Sequence, residues 1–115
     1  MPTHTDPADV ERAALDLLIE VPLMMAKEPD TGPLAAVMRE LAAILAAEGV
    51  FTGLSWFDAR HAATAIAFDA VARDDGPGFL RGRAERAETG GDGMSWDDPA
   101  GMARAFRIAA EVLDR

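Results

Sequence analysis

His61 and Asp58 stand three residues apart in the run from Ser55 to Arg73, which holds neither glycine nor proline. On a helix that spacing puts both side chains on one face, where a carboxylate can orient an imidazole as a general base or as a metal ligand. A metal site needs three or four protein ligands, and no HxxxH, HExxH or ExxH pattern supplies the others. The second histidine, His4, lies near the N-terminus, and there is no cysteine. The expectation is therefore no metal and no cofactor. The plain reading of His61 is a core histidine whose polar edge meets a backbone carbonyl or Asp58, and the catalytic reading rests on these two residues alone.

The second constellation is Arg73, Arg81, Arg83 and Arg86 around Gly76-Pro77-Gly78, the only locally basic region of the chain. Guanidinium groups beside a glycine-rich turn can hold a phosphate or a carboxylate through paired hydrogen bonds. No Walker pattern is present, so a phosphate loop is not specified. The alternative is a solvated face paired with Glu85 and Glu88.

Gly90 to Asp98 partly resembles a calcium-binding nonapeptide, but Ser95 replaces the key aspartate and the motif occurs once, whereas such repeats work only when stacked. Turn formation and capping account for these residues. Ser55 and Ser95, the only serines, sit in no nucleophile-elbow pattern.

The elements that would position these residues read as helices. Asp6-Pro7 opens the first, over 8–27, with Val10, Ala13, Ala14, Leu17, Leu18 and Val21 inward; Pro22 predicts a kink or a break. Met24 and Met25 follow as gap-fillers or as an adaptable docking surface, with Leu15 and Ile19 widening the apolar girth of the same helix. A turn over 28–33, with Asp30 or Thr31 as cap, leads to a helix over 33–48, faced by Leu34, Val37, Met38, Leu41, Ile44 and Leu45 and closed by Gly49. Residues 50–54 read as a loop with Phe51 and Leu54 tucked under.

The central helix, 55–74, starts at Ser55 with Asp58 as the acidic partner of a capping box. Its expected inner stripe is Phe57, His61, Thr64, Phe68 and Val71, widened by Trp56, Ala59, Ala63, Ile66, Ala67 and Ala70 so that more than one side is covered, while Asp69 and Arg73 pair on the exposed side. Residues 74–78 end it. Gly82 limits 79–88 to a short or frayed helix, and Asp98-Pro99 opens the last, over 98–114, with Trp96 as its staple. The fold expected is all-α: a compact bundle of four main helices and at most a short fifth, in a single helical domain over 1–115. Residues 1–5 are expected to be mobile and the Gly-rich loop 89–95 flexible.

Composition supports this and narrows function. The 115 residues are 50% hydrophobic and rich in alanine, without tyrosine, asparagine or glutamine. A formal net charge of −9 opposes binding to nucleic acid or to an anionic membrane. No apolar run approaches the roughly 18–20 residues of a membrane span, the N-terminus lacks the layout of a secretion signal, and the absence of cysteine suits a reducing cytoplasm. The leading functional expectation is a small, acidic, non-enzymatic protein acting through protein–protein contact as an adaptor, assembly factor or inhibitor, self-association included. The competing one is a small-molecule- or metal-binding protein, or an enzyme, with a pocket at His61 and an arginine holding an anion. A cavity that reaches both His61 and an arginine distinguishes the second from the first.

Overall fold

The computed structural model describes residues 6–25 and 32–115, and every regular element among them is an α-helix. In chain order these are α1 (Pro7–Met25), α2 (Gly32–Ala47), α3 (Trp56–Ala72), α4 (Gly76–Thr89) and α5 (Pro99–Leu113). The expected N-terminal mobility over 1–5, His4, and the Asp30 or Thr31 cap lie outside the described residues.

Capping chemistry fixes the helix starts. The Asp6 carboxylate accepts from the Ala8 N–H at 2.8 Å, Ser55 Oγ from the Asp58 N–H at 3.1 Å, and Asp98 from the Gly101 N–H at 3.0 Å. Each satisfies a donor that the first turn leaves without an intrahelical partner.

The same device corrects the count from four helices and a fragment to five. Asp75 accepts from the Gly78 N–H at 2.9 Å, with Pro77 in the first turn, so the residues that stop α3 also start α4. Gly82 costs helix propensity, but α4 runs its 14 residues because Leu80, Ala84 and Ala87 are buried and the helix packs extensively on α5. Gly90, at φ 76°, closes it in the left-handed conformation that glycine adopts without penalty.

Pro22 does not break α1. It lies within a continuous helix and is buried, so its ring contributes packing where its missing N–H removes a hydrogen bond. Val10, Ala14 and Leu18 line the buried face of that helix, and Met38, Leu41 and Leu45 that of α2. Val37, expected inside, is instead exposed. Between α2 and α3 the chain turns at Gly49 (φ 64°), and Phe51 and Leu54 fold under as expected.

The larger correction concerns α3. Phe57, His61, Thr64 and Phe68, the expected inner stripe, face outward. Of the residues expected to widen that stripe, Ala59, Ala63, Ile66 and Ala67 are buried and Trp56 is exposed; with Asp58, Ala62 and Asp69 those four form the inner face. Helices α1, α4 and α5 all pack on α3, and small alanine side chains let their backbones approach closely. Three wide aromatic or imidazole rings on that face would hold those neighbours apart. The buried residues of all five helices merge into one cluster, with Phe51, Leu18, Leu41, Leu45, Ile66 and Leu80 among its largest fully enclosed members.

Candidate functional site

The first turn of α3 sends Asp58 and His61 in different directions. Asp58 is fully buried, and its Oδ2 accepts from the Asp98 backbone N–H at 2.9 Å, tying the start of α3 to the start of α5. Its Oδ1 is buried with no hydrogen-bond partner among the described residues. Only half of the expected capping box is present: Ser55 caps the Asp58 N–H, while the Asp58 carboxylate serves another helix. His61 is exposed, not a core residue. Its Nδ1–H donates to the Phe57 carbonyl oxygen at 3.0 Å, which leaves Nε2 for another contact. The pair that a general base or metal ligand would require is not formed.

An aromatic group takes the place of that pair. The His61 ring lies 4.2 Å from the Phe57 ring and 5.7 Å from that of Trp96, the latter edge-on at 64°. Trp96 comes from the segment between α4 and α5, and its ring turns toward α3. Its Nε1–H donates to Asp92 Oδ2 at 2.9 Å, while Asp92 Oδ1 accepts from the Met94 N–H at 3.0 Å. Desolvation raises the pKa of Asp92, but the hydrogen bonds from Met94, Trp96 and its own backbone, with the charge of Arg86, outweigh it and hold the carboxyl below its ordinary range.

The four arginines separate into three roles. Arg83 donates to the fully buried Asp69 through Nε (2.5 Å) and Nη2 (3.1 Å), and Arg73 reaches the same carboxylate at 3.4 Å. The expected surface pair of Asp69 and Arg73 is thus a buried carboxylate shared by two guanidinium groups, because α4 covers this side of α3. Arg73 also lies over Phe68 and Phe79, at 5.1 and 4.2 Å from their ring centroids. Arg81 turns away to Asp114 at 2.9 Å. Arg86 makes no ion pair among the described residues; Glu88 bonds to Arg107 instead, which holds the Glu88 carboxyl below its ordinary range and raises Arg107.

These positions enclose a cleft of about 300 Å³ between α3, α4, α5 and the 90–96 segment. His61, Arg83, Arg86, Asp92, Trp96 and Phe106 line it. The sequence reading included His61 and the arginines but missed Asp92, Trp96 and Phe106. The Asp-x-Met-x-Trp spacing was a usable signal, since an Asp side chain commonly caps the backbone two residues on. Among the described residues no three His, Asp or Glu side chains converge as a metal would require, and no helix is long and apolar enough to cross a membrane.

The remaining candidates lie elsewhere. Met24, read as a gap-filler or as part of a docking surface, is 83% exposed and fills no gap, whereas Met25, Leu15 and Ile19 are half-buried, the last two against the core. The other exposed surface of note is α3 itself. Both of its carboxylates are buried, and its outward face presents Trp56, Phe57, Arg60, His61, Thr64 and Phe68, with Arg60 stacked 5.4 Å over Trp56. Comparison with known proteins yields no match to this chain, whether among protein-family models, curated proteins or solved structures.

Proposed function

We propose that the protein is a non-enzymatic interaction module whose outward α3 face docks a protein partner carrying an apolar, acidic segment. One observation carries this reading. In a chain of net charge −9, the exposed side of α3 has no carboxylate, and it presents Trp56, Phe57 and Phe68 at 41, 48 and 38% exposure. Aromatic residues and arginine are the types enriched where proteins meet, and carboxylates are depleted there. Arg60, seated over the Trp56 ring, is a cation suited to receive an acidic group. The net negative charge argues against nucleic acid, and the lack of cysteine suits a reducing cytoplasm.

The test compares the native chain with a Phe57→Ala, Phe68→Ala double variant in native mass spectrometry of complexes from the protein's own source. Both side chains are exposed, so the fold should hold. A partner at fixed stoichiometry that the variant loses, with binding that weakens as salt rises, supports the reading. If the variant keeps the partner undiminished, α3 is not the docking face. A homo-oligomer abolished by the same substitutions would identify the partner as a second copy.

A second reading, a small-molecule-binding protein, is favoured by a different observation: one cleft joins His61 to Arg83 and Arg86. Titration of the chain with small organic anions, followed by NMR of the cleft residues, tests it.

A further inference from the structure

The cleft between α3, α4, α5 and the 90–96 segment has the chemistry of a specific ligand class, an inference that rests on the small-molecule reading. We infer that it binds a small aromatic carboxylate of one or two rings, its ring against Trp96 and His61 and its carboxylate on Arg86.

The apolar part of the cleft is aromatic. Trp96 and His61 meet edge-on at 5.7 Å, with Phe106 and Met94 completing the lining. Such edges and faces favour a flat ring over a branched aliphatic group. Trp96 is held in place by its Nε1–H bond to Asp92, so ligand binding orders little that is not already ordered. Asp92 has each oxygen engaged by an N–H group, which makes it a poor anchor for a ligand cation.

The charged part selects a carboxylate. Arg83 is committed to the buried Asp69, whereas Arg86 forms no ion pair among the described residues and acts on Asp92 through its charge alone. Its guanidinium lies above Gly82, where a Cβ would stand 3.0 Å from Arg86 Nη1. The glycine therefore leaves room for the Arg86 side chain, which also lines the cleft, to lie along α4. One planar guanidinium fork matches one carboxylate in two parallel hydrogen bonds. At about 300 Å³ the space lies at the small end of ligand sites, which limits the ligand to one or two rings.

The experiment is an NMR titration of the full chain with 2-naphthoate, read at the Trp96 Nε1–H and Met94 resonances. 2-Naphthamide, cyclohexanecarboxylate and inorganic phosphate serve as comparison probes. The expected result is saturable binding of naphthoate at Trp96, weakened on the order of tenfold or more by Arg86→Gln, by loss of the charge in the amide and by loss of the aromatic ring. Arg81→Gln, at the exposed pair with Asp114, should leave it unchanged. Trp96→Phe, which keeps a ring in place, should weaken binding less than Trp96→Leu. If naphthamide binds as tightly as naphthoate and Arg86→Gln has no effect, the carboxylate assignment is wrong while a small-molecule cleft remains. Phosphate binding without any preference for rings overturns the aromatic half. If no probe shifts these resonances, the ligand class and the small-molecule reading fall together.

Discussion

The carboxylate of Asp69, fully enclosed on the inner face of α3, is gripped by Arg83 of α4 through two hydrogen bonds, 2.5 Å from Nε and 3.1 Å from Nη2. A buried carboxylate is tolerated only when its lost hydration is replaced. Removing the acceptor by Asp69→Ala should cost about 3 kcal/mol, the lower end for breaking a buried pair, because the Arg83 side chain keeps 31% of its exposure and can partly rehydrate. Urea denaturation would measure this, and an unchanged midpoint would show that the pair contributes nothing to holding α4 on α3.

Asp58 makes the corresponding link at the other end of α3, accepting from the Asp98 N–H. Asp58→Ala should destabilise by about 1–3 kcal/mol, the cost of leaving a partly buried donor without a partner. Asp58→Asn keeps a carbonyl oxygen as acceptor and should retain most of the stability. Equal losses for the two variants would mean that the link to Asp98 is not what Asp58 supplies.

At Gly76, where α4 begins, α3 leaves no room for a side chain, since a Cβ there would stand 2.7 Å from the Asp69 carbonyl oxygen. Backbone cannot swing aside as a side chain can, so Gly76→Ala should lower stability by about 1–3 kcal/mol despite alanine's better helix propensity. Gly53→Ala is the matched control, because no heavy atom lies within 4 Å of its Cβ position. Thermal unfolding of the two should separate them, and parallel melting curves would remove steric crowding as the role of Gly76.

The hydrogen bonds to Asp92 carry a pH signature. Its carboxyl is held below the ordinary aspartate value in the folded chain, so its stabilising contribution is fully present above that value and is lost as pH falls through the lowered one. Followed by NMR at its own carboxyl carbon, Asp92 should stay ionised from neutral pH down to the ordinary value of 3.8 and titrate only below it. A transition centred above 3.8 would contradict the bonds from Met94 and Trp96.

Much of the scaffold was legible because local chemistry specifies it. Asp6-Pro7, Ser55 and Asp98-Pro99 cap their helices as their types require, and Gly49 adopts the left-handed conformation expected after α2. The fifth helix was underread because Gly82 is a local cost and its compensation, burial of Leu80, Ala84 and Ala87, is not local. The candidate site was legible only in part. His61 and the arginines stood out by type, whereas Trp96 and Asp92 enter the cleft only because the 90–96 segment folds back over α3.

The sequence alone determined that this chain is helical, and nearly where every helix but α4 begins, since alanine content, capping side chains and glycine act within a few residues of themselves. It could not determine which side of α3 faces inward. Phe57 and Phe68 are the more hydrophobic side chains, yet they lie outside while Asp58 and Asp69 lie inside. Only the tertiary structure decides that. Close packing of α3 with three other helices favours the alanine face, and the two carboxylates beside those alanines are admitted by the Asp98 N–H and the Arg83 guanidinium, donors 40 and 14 residues away in the chain.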